Sequence, residues 1–404
     1  MRLFQLDEFT PEVFIKSQVA EIKKLIGSEK ALIALSGGVD STTSAVLTHK
    51  AIGNNLLCVM LDDAFMRENE PQHIAHLVSQ PPLSLPIKVL NVQEQFLKAL
   101  EGLQDAEEKR KAFREAFYKA LGETAKEEAC KVLVQGTIKA DVVETTGGVK
   151  TQHNVLEQMG INTVEHFGFK VVEPLVSLYK EQVRMVARCL GVPPEIAERQ
   201  PFPGPGLSVR VVGEIRKDKL DSEKKATVIA EEALMKHKPS QYFVSILDNK
   251  TATYPRSMHV SEMVARLLNV PSRHVSLRVF EAKATGVKDG KRRYGGIMAL
   301  KAQTLNGSIH NPSISSLVAL QAKVTTEDPL LTRMVYTIKE AAQKQSYVVV
   351  LRAIQTQDFL TATVSEIPWT TLNETADRIL EACQSVSAIY YDVTPKPPAT
   401  VEME

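Results

Sequence analysis

Residues 30–41 read KALIALSGGVDS, and this stretch decides the fold of the first half of the chain. Its first six residues form a short apolar run typical of a buried strand, and residues 42–52 follow with a helical pattern. Gly37 and Gly38 allow the intervening backbone to turn sharply and to approach a ligand closely. The helix that follows offers unpaired backbone N–H groups and the positive end of its dipole. The sequence therefore predicts an anion-binding loop at the C-terminal end of a parallel strand.

The same alternation of strand and helix continues beyond this loop. Further strands are expected at residues 56–61 (LLCVML), 87–91 and 131–135 (KVLVQ), and a fifth around Val171. Helical patterns separate these runs. Strands that alternate with helices are typical of an α/β domain, in which a parallel sheet has helices on both faces.

A segment rich in proline and glycine, residues 200–206 (QPFPGPG), ends this pattern. Three prolines and two glycines in seven residues exclude regular helix or strand there. From Val275 onward the pattern changes to alternating strands. We therefore predict two domains, residues 1–206 and residues 207–404. The second is expected to be a smaller α+β domain that carries an insertion near residues 300–345.

The composition indicates an ordinary globular protein. The chain has 404 residues, a formal net charge of +1, 44% hydrophobic residues and 24% charged residues. This balance gives no reason to expect a nucleic-acid or membrane partner, and no apolar run approaches the roughly 18 residues of a membrane span. The four cysteines are widely spaced and form no Cys-x-x-Cys pair. We expect reduced, buried cysteines and a cytoplasmic protein.

The loop Ser-Gly-Gly-Val-Asp-Ser at residues 36–41 lacks the Gly-Lys-Ser/Thr of a Walker A element. It resembles the Ser-Gly-Gly-x-Asp-Ser loop of the N-type ATP pyrophosphatases. This resemblance implies that ATP is cleaved between its α and β phosphates and that an oxygen of the substrate is adenylated. A nucleophile would then displace AMP. The loop would hold the leaving pyrophosphate, Mg²⁺ would neutralise its charge, and Asp40 would be the metal partner.

Further segments resemble one branch of that superfamily, the GMP synthetases. They are residues 61–70 (LDDAFMRENE), 134–144 (VQGTIKADVVE), 199–210 (RQPFPGPGLSVR) and 391–404 (YDVTPKPPATVEME). The resemblance implies amination of xanthosine monophosphate (XMP) to GMP with ATP and ammonia, releasing AMP and pyrophosphate. No cysteine lies in the Gly-x-Cys-x-Gly elbow of a class I glutaminase. Ammonia would therefore come from solution or from a separate glutamine amidotransferase subunit, and a homodimer is expected.

The resemblance also implies roles for individual residues around ATP. Lys180 and His153 would act with Asp40 as catalytic residues, Lys180 by reaching a phosphate. Asp40 and Asp141 would hold Mg²⁺. The ends of the neighbouring strands would line the adenine pocket. The residues implied to bind the nucleotide are Ser36, Gly37, Gly38, Val39, Asp40, Ser41, Leu61, Gln135 and Gly136.

A second group is implied to bind the nucleotide substrate, whose phosphate calls for cationic side chains. The C-terminal tail, with its prolines and acidic residues, is expected to form a lid over this nucleotide. The group consists of Arg292, Arg352, Lys396, Thr400 and Glu402.

The substrate side departs from the family pattern in several places. Residues 145–152 and 287–293 differ, Ala64 replaces a glycine, and Met403 replaces a tryptophan. Two alternatives therefore stay open. The chain could be a related ATP pyrophosphatase that amidates or thiolates another purine or carbonyl substrate, thiolation requiring a nucleophilic cysteine. It could also be a nucleotide-binding regulator without turnover.

Overall fold

The computed structural model describes residues 9–146, 169–254, 257–288, 290–356 and 360–404. The chain divides into two compact units. The first comprises Met1–Ala99 and Lys111–Gly204, and the second comprises Leu100–Arg110 and Pro205–Glu404. Within the described ranges, no helix has the length and apolar character needed to cross a membrane.

The first unit is built on a five-stranded sheet in which every neighbouring pair of strands is parallel. Its strand order is β3-β2-β1-β4-β5. The parallel α/β sheet predicted from the sequence is confirmed. The strands are β1 (Ala31–Ala34), β2 (Leu56–Asp62), β3 (Ile87–Asn91), β4 (Val132–Val134) and β5 (Lys170–Val172). Among the described residues up to 204, the helices are α1 (Pro11–Ile26), α2 (Val39–Ile52), α3 (Glu70–Ser79), α4 (Gln93–Leu100), α5 (Ala106–Glu127), α6 (Lys139–Thr146), α7 (Lys180–Cys189) and α8 (Pro194–Ala197).

Both faces of this sheet are buried. Successive strand residues point to opposite faces, and the adjacent residues Leu32 and Ile33 are both fully buried. Ile33 belongs to a core that also contains Val46 of α2 and Val183 of α7. On the other face, Leu32 is joined by the buried Val59 of β2. Such two-sided burial is what a parallel sheet covered by helices requires.

The second unit contains a mixed eight-stranded sheet, which is larger than the sheet of the first unit. The order β12-β11-β13-β10-β9-β8-β7 runs across it, and β6 pairs with β11. Its strands are β6 (Gln241–Asp248), β7 (Thr251–Ala252), β8 (Val275–Lys288), β9 (Lys291–Ala302), β10 (Leu331–Glu340), β11 (Tyr347–Gln355), β12 (Thr363–Val364) and β13 (Val386–Asp392). Its helices are α9 (Lys217–Leu234), α10 (Ser257–Leu268), α11 (Ile314–Glu327) and α12 (Trp369–Ala382).

The stretch near residues 300–345 contributes β10, which is an internal strand. β10 pairs with β9 on one side and with β13 on the other. Its first eight residues are all buried. Removing residues 331–340 would therefore open the middle of the sheet.

A buried charge cluster joins the strands of this sheet to the C-terminal tail. Arg333, Arg352 and Asp392 have no solvent exposure. Arg333 Nη1 lies 2.6 Å and Arg352 Nη1 lies 2.8 Å from Asp392 Oδ2. Both guanidinium groups also donate to the carbonyl oxygen of Thr400, at 3.0 Å. Arg352 donates further to the carbonyl oxygen of Val401. Its donors are thus used within the fold.

The last three residues of the chain are anchored in the same way. Glu402 accepts two hydrogen bonds from Arg210, at 3.0 and 3.1 Å. Met403 is fully buried in the core of the second unit. Glu404 is paired with the buried Lys109 and accepts a 2.7 Å hydrogen bond from the backbone of Gly213. The tail is therefore a packed part of this unit, and its role as a lid over the nucleotide stays a prediction.

Replacing the shared carboxylate should destabilise the protein strongly. In Asp392→Asn two buried guanidinium groups lose their counter-charge, and breaking such a buried pair costs about 3–5 kcal/mol. The free energy of unfolding can be measured by urea denaturation. Asp377→Asn is the matched control, because its ion pair with Lys339 is exposed and should contribute at most about 1 kcal/mol. Equal losses in the two variants would contradict the role assigned to this cluster.

Candidate functional site

The loop between β1 and α2 lies at the topological switch point of the first sheet. The chain proceeds from β1 to β2 and β3 on one side, and then returns to β4 and β5 on the other. Ligands of open parallel sheets bind beyond the carboxyl ends of the strands at such a point. The loop that the sequence singled out therefore occupies the position where a binding cleft is expected.

Two serine hydroxyls hold the loop in shape. Ser41 Oγ accepts a 3.2 Å hydrogen bond from the backbone N–H of Ser36 and donates to the carbonyl oxygen of Gly38, also at 3.2 Å. Ser36 Oγ lies 3.1 Å from Ser41 Oγ and accepts from the N–H of Gly38. Gly37 has φ +73°, a conformation that glycine adopts without strain. The loop is thus preorganised by its own side chains.

Gly136 brings the loop against the end of β4. A methyl group at this position would lie 2.8 Å from the backbone nitrogen of Ser41 and 2.9 Å from the carbonyl carbon of Asp40. Backbone atoms in the first turn of a helix cannot move aside easily, so only glycine fits. Gly136 was predicted to line the adenine pocket, and the structure places it in direct contact with the anion loop.

Asp40 and Lys180 form an ion pair at this site. Lys180 Nζ donates to Asp40 Oδ2 at 2.6 Å, and both side chains are partly exposed. Burial raises the pKa of the Asp40 carboxyl, although the charge of Lys180 opposes the shift. Asp40 Oδ1 is buried and has no hydrogen-bond partner among the described residues. One carboxylate oxygen therefore remains available to a further ligand.

Asp141 supplies a second carboxylate near Asp40. Its Oδ2 accepts a 3.0 Å hydrogen bond from the backbone of Ile138, just before α6, and its charge also raises the pKa of Asp40. The described residues contain no group of three or more His, Cys, Asp or Glu that could hold a metal alone. Mg²⁺ is usually held by one or two carboxylates together with substrate phosphates and waters. Asp40 and Asp141 fit such an open site.

The predicted adenine-binding residues lie at the ends of two strands. Leu61, near the end of β2, is buried, and Gln135 directly follows β4. Gln135 Nε2 donates to the hydroxyl of Tyr118 at 2.9 Å. Its Oε1 is buried without a hydrogen-bond partner in the described part of the chain. Gln135 therefore keeps an acceptor for a polar ligand group.

The predicted substrate residues of the second unit fall into two groups. Arg292 is exposed on β9 and pairs with Glu107. Lys396 exchanges two backbone hydrogen bonds with Ala362, both at 2.9 Å. Thr400 belongs with Arg352 and Glu402 to the network that anchors the tail, since its hydroxyl donates to the carbonyl oxygen of Thr285. The predicted catalytic residue His153 lies outside the described residues.

Comparison with known proteins identifies the family. The family described as NAD synthase matches residues 11–222, and the GMP synthase C terminal domain matches residues 330–403. The chain is 41% identical over 396 residues to a subunit of the glutamine-hydrolyzing GMP synthase of Sulfurisphaera tokodaii, covering 98% of this chain and 100% of that protein. It is 34% identical over 394 residues to the corresponding subunit from Archaeoglobus fulgidus, covering 97% and 99%. The chain belongs to this family of GMP synthase subunits.

Among solved structures, the chain is similar to the NMN synthetase of Francisella tularensis, with 20% identity and a TM-score of 0.39. That similarity covers 50% of this chain and 79% of the other. The full-length relatives, and not this structural similarity, show membership of the GMP synthase family. The sequence resemblance to GMP synthetases is confirmed.

Two features of this GMP synthase site were not predicted. Arg184 lies one turn after Lys180 on α7, its charge lowers the pKa of Asp40, and its buried Nε has no hydrogen-bond partner among the described residues. The i, i+4 spacing from Lys180 was the available signal. The second feature is a charge cluster of Arg67, Glu70 and Arg199, which lies in segments quoted for the resemblance without a role.

A methyl group at Gly136 should disrupt nucleotide binding. Gly136→Ala must push the backbone of Asp40 and Ser41 away from β4, so the ATP dissociation constant should rise at least about tenfold, which corresponds to about 1.4 kcal/mol. Isothermal titration calorimetry measures this constant. Gly53→Ala is the control: Gly53 has φ +54° and an added methyl meets no atom within 4 Å, so the control tests backbone strain alone. Unchanged ATP affinity in Gly136→Ala would refute the packing argument.

Proposed function

We propose that this chain is the synthetase subunit of a two-subunit GMP synthase, which aminates XMP to GMP at the expense of ATP. The observation that carries the proposal is the preorganised loop at the switch point, with Asp40 and Lys180 paired beside it at 2.6 Å. Its full-length relatives are each named as one subunit of a GMP synthase, which supports XMP as the substrate.

The proposed reaction has two steps. A carbonyl oxygen of the xanthine ring attacks the α-phosphorus of ATP, and the bond to the β-phosphate breaks, so that pyrophosphate leaves with the bonding electrons. Ammonia then adds to the activated ring carbon and loses a proton, and AMP leaves with the former carbonyl oxygen. The backbone N–H groups of the loop, Lys180 and Arg184 would stabilise the charge that develops on the phosphates. His153 is proposed as a further catalytic residue.

The carboxylates of Asp40 and Asp141 would hold Mg²⁺ in this reaction. The unpartnered Asp40 Oδ1 supports this assignment, since a carboxylate placed beside phosphates without a cation would repel them. The ion would neutralise negative charge on the phosphates. Lys180 keeps Asp40 oriented and contributes its own charge to the same region.

Substrate recognition is proposed to involve different kinds of residues. Leu61 and Gln135 would contact adenine, Gln135 through its unpartnered carbonyl oxygen. Arg292 and Lys396 would contact the XMP nucleotide through their charges. Arg352, Thr400 and Glu402 would act indirectly, because they hold the tail that carries Lys396. The two domains are proposed as separate binding units for the two nucleotides.

The source of ammonia is proposed to be a separate glutamine amidotransferase subunit. Desolvation raises the pKa of all four thiols, and that of Cys58 to about 12, so none is poised as a nucleophile. This finding argues against a glutaminase centre and equally against a thiolase.

The state of the cysteines also bears on the location of the protein. All four are free of disulfides, which supports a cytoplasmic protein. Three of them are buried as expected, whereas Cys189, at the end of α7, is exposed, and the expectation of burial is wrong for this residue. We propose a homodimer as the working form of the protein.

Asp40→Asn should abolish pyrophosphate release from ATP without unfolding the protein. The variant keeps the shape of the side chain but loses the charge that would hold the cation. Release can be followed with a coupled pyrophosphate assay, alongside thermal unfolding. Glu29→Gln is a matched control, because Glu29 forms a 2.7 Å pair with Lys170 at the surface of the same unit. Turnover near the wild-type rate in Asp40→Asn would rule out the assignment.

The isolated chain should make GMP with ammonium and fail with glutamine. At a fixed total concentration of ammonium, the rate should rise from neutral to alkaline pH, because only neutral ammonia is a nucleophile. The measurement is GMP formation by chromatography with each nitrogen donor. Synthesis from glutamine by the pure chain would contradict the need for a separate glutaminase.

A further inference from the structure

Arg67, Glu70 and Arg199 form a charge cluster beside the anion loop. Glu70 begins α3 and is only 5% exposed. Its carboxylate is paired with the guanidinium of Arg199, and it lies 3.5 Å from Arg67 Nη1. Glu70 also accepts a 2.9 Å hydrogen bond from the backbone of Arg67. One buried carboxylate thus fixes two arginines from segments far apart in sequence.

Arg199 reaches the loop itself. A methyl group at Gly37 would lie 2.9 Å from Arg199 Nη1 and 3.1 Å from the side chain of Ile74. The guanidinium therefore packs directly against the loop residue with φ +73°. Arg67 in turn stacks over the ring of Phe202, 4.3 Å from its centroid, so the segment that carries Arg199 is held from a second side.

The three side chains of the cluster carry more positive than negative charge. Two guanidinium groups contact one carboxylate, and Arg199 brings its positive charge next to a loop predicted to bind an anion. The side chains of Arg67 and Arg199 are 11% and 19% exposed, so solvent screens this charge only partly. A cluster with a purely structural role would not need the second arginine at the wall of the loop.

We propose that Arg199, held by Glu70, is a positioning residue for the pyrophosphate end of ATP. It supports the conformation of Gly37 and adds positive charge where pyrophosphate is retained and released. The inference rests on the proposed function. It predicts a specific defect at the pyrophosphate end of the nucleotide.

The test measures product inhibition by pyrophosphate and by AMP separately. In Arg199→Met the inhibition constant for pyrophosphate should rise about tenfold, while that for AMP stays within about twofold. Arg199→Lys keeps the charge without the planar fork and should recover part of the loss. Arg188→Met is the matched control, because Arg188 forms an exposed pair with Glu198 at 3.0 Å and should alter neither constant.

Glu70→Gln provides a second route if Arg199→Met does not fold. It removes the charge that orients Arg199 while keeping the side chain's shape, and should raise the pyrophosphate constant by a smaller factor than Arg199→Met. Equal changes in both inhibition constants, or no change in a folded variant, would overturn the inference and leave the proposed function intact. A wild-type protein that releases no pyrophosphate from ATP in the presence of XMP and ammonia would overturn both.

Discussion

The close approach of the α2 backbone to Gly136 is the contact on which the site of the first unit depends. Because Gly136 has no side chain, Asp40 and Ser41 lie directly against the end of β4. Ser41 can then bond back to Ser36 and close the loop, while Asp40 faces Lys180 on α7. β1 and β4, the neighbouring strands at the switch point, and the helices α2 and α7 therefore meet around Gly136, a position that admits only glycine.

Much of the first unit could be predicted because its signals are local. The third strand was predicted at residues 87–91 and has the same bounds in the structure. α2 begins at Val39, three residues earlier than predicted, since the loop itself provides the first helical turn. β10 was not predicted, because the interaction that stabilises it is not local in sequence. Its sequence contains Arg333, which looks incompatible with a buried strand, and burial becomes favourable only through Asp392, 59 residues away. No local pattern contains that partner.

The same limitation explains why the partners of these charged residues could not be predicted. Arg352 and Glu402 were assigned to substrate because charged residues in a family motif suggest contact with a ligand. Their partners, Asp392 and Arg210, lie far away in sequence. Two departures from the family pattern also find structural explanations. Met403 fills a buried core position, which its flexible side chain can do. Ala64 has φ +73° where the family has glycine, and it accepts a strain of about 1–2 kcal/mol. Neither departure therefore argues for a different substrate.

Comparing the paired cations of the two units shows how function can be separated from structure here. In the second unit, Arg333 and Arg352 are fully buried. Their Nη2 groups donate to a backbone carbonyl oxygen of the tail. Most of these donors are used within the fold, although Arg333 Nε has no hydrogen-bond partner among the described residues. Around the loop, Lys180 and Arg199 are partly exposed. Lys180 pairs with Asp40, whose Oδ1 has no hydrogen-bond partner among the described residues. Arg199 pairs with Glu70, which also contacts Arg67. Positive charge that is only partly neutralised would be unfavourable in a buried core. Beside the anion loop, such charge would stabilise a highly charged leaving group. This difference, rather than the presence of charge, supports the proposal that ATP chemistry takes place in the first unit.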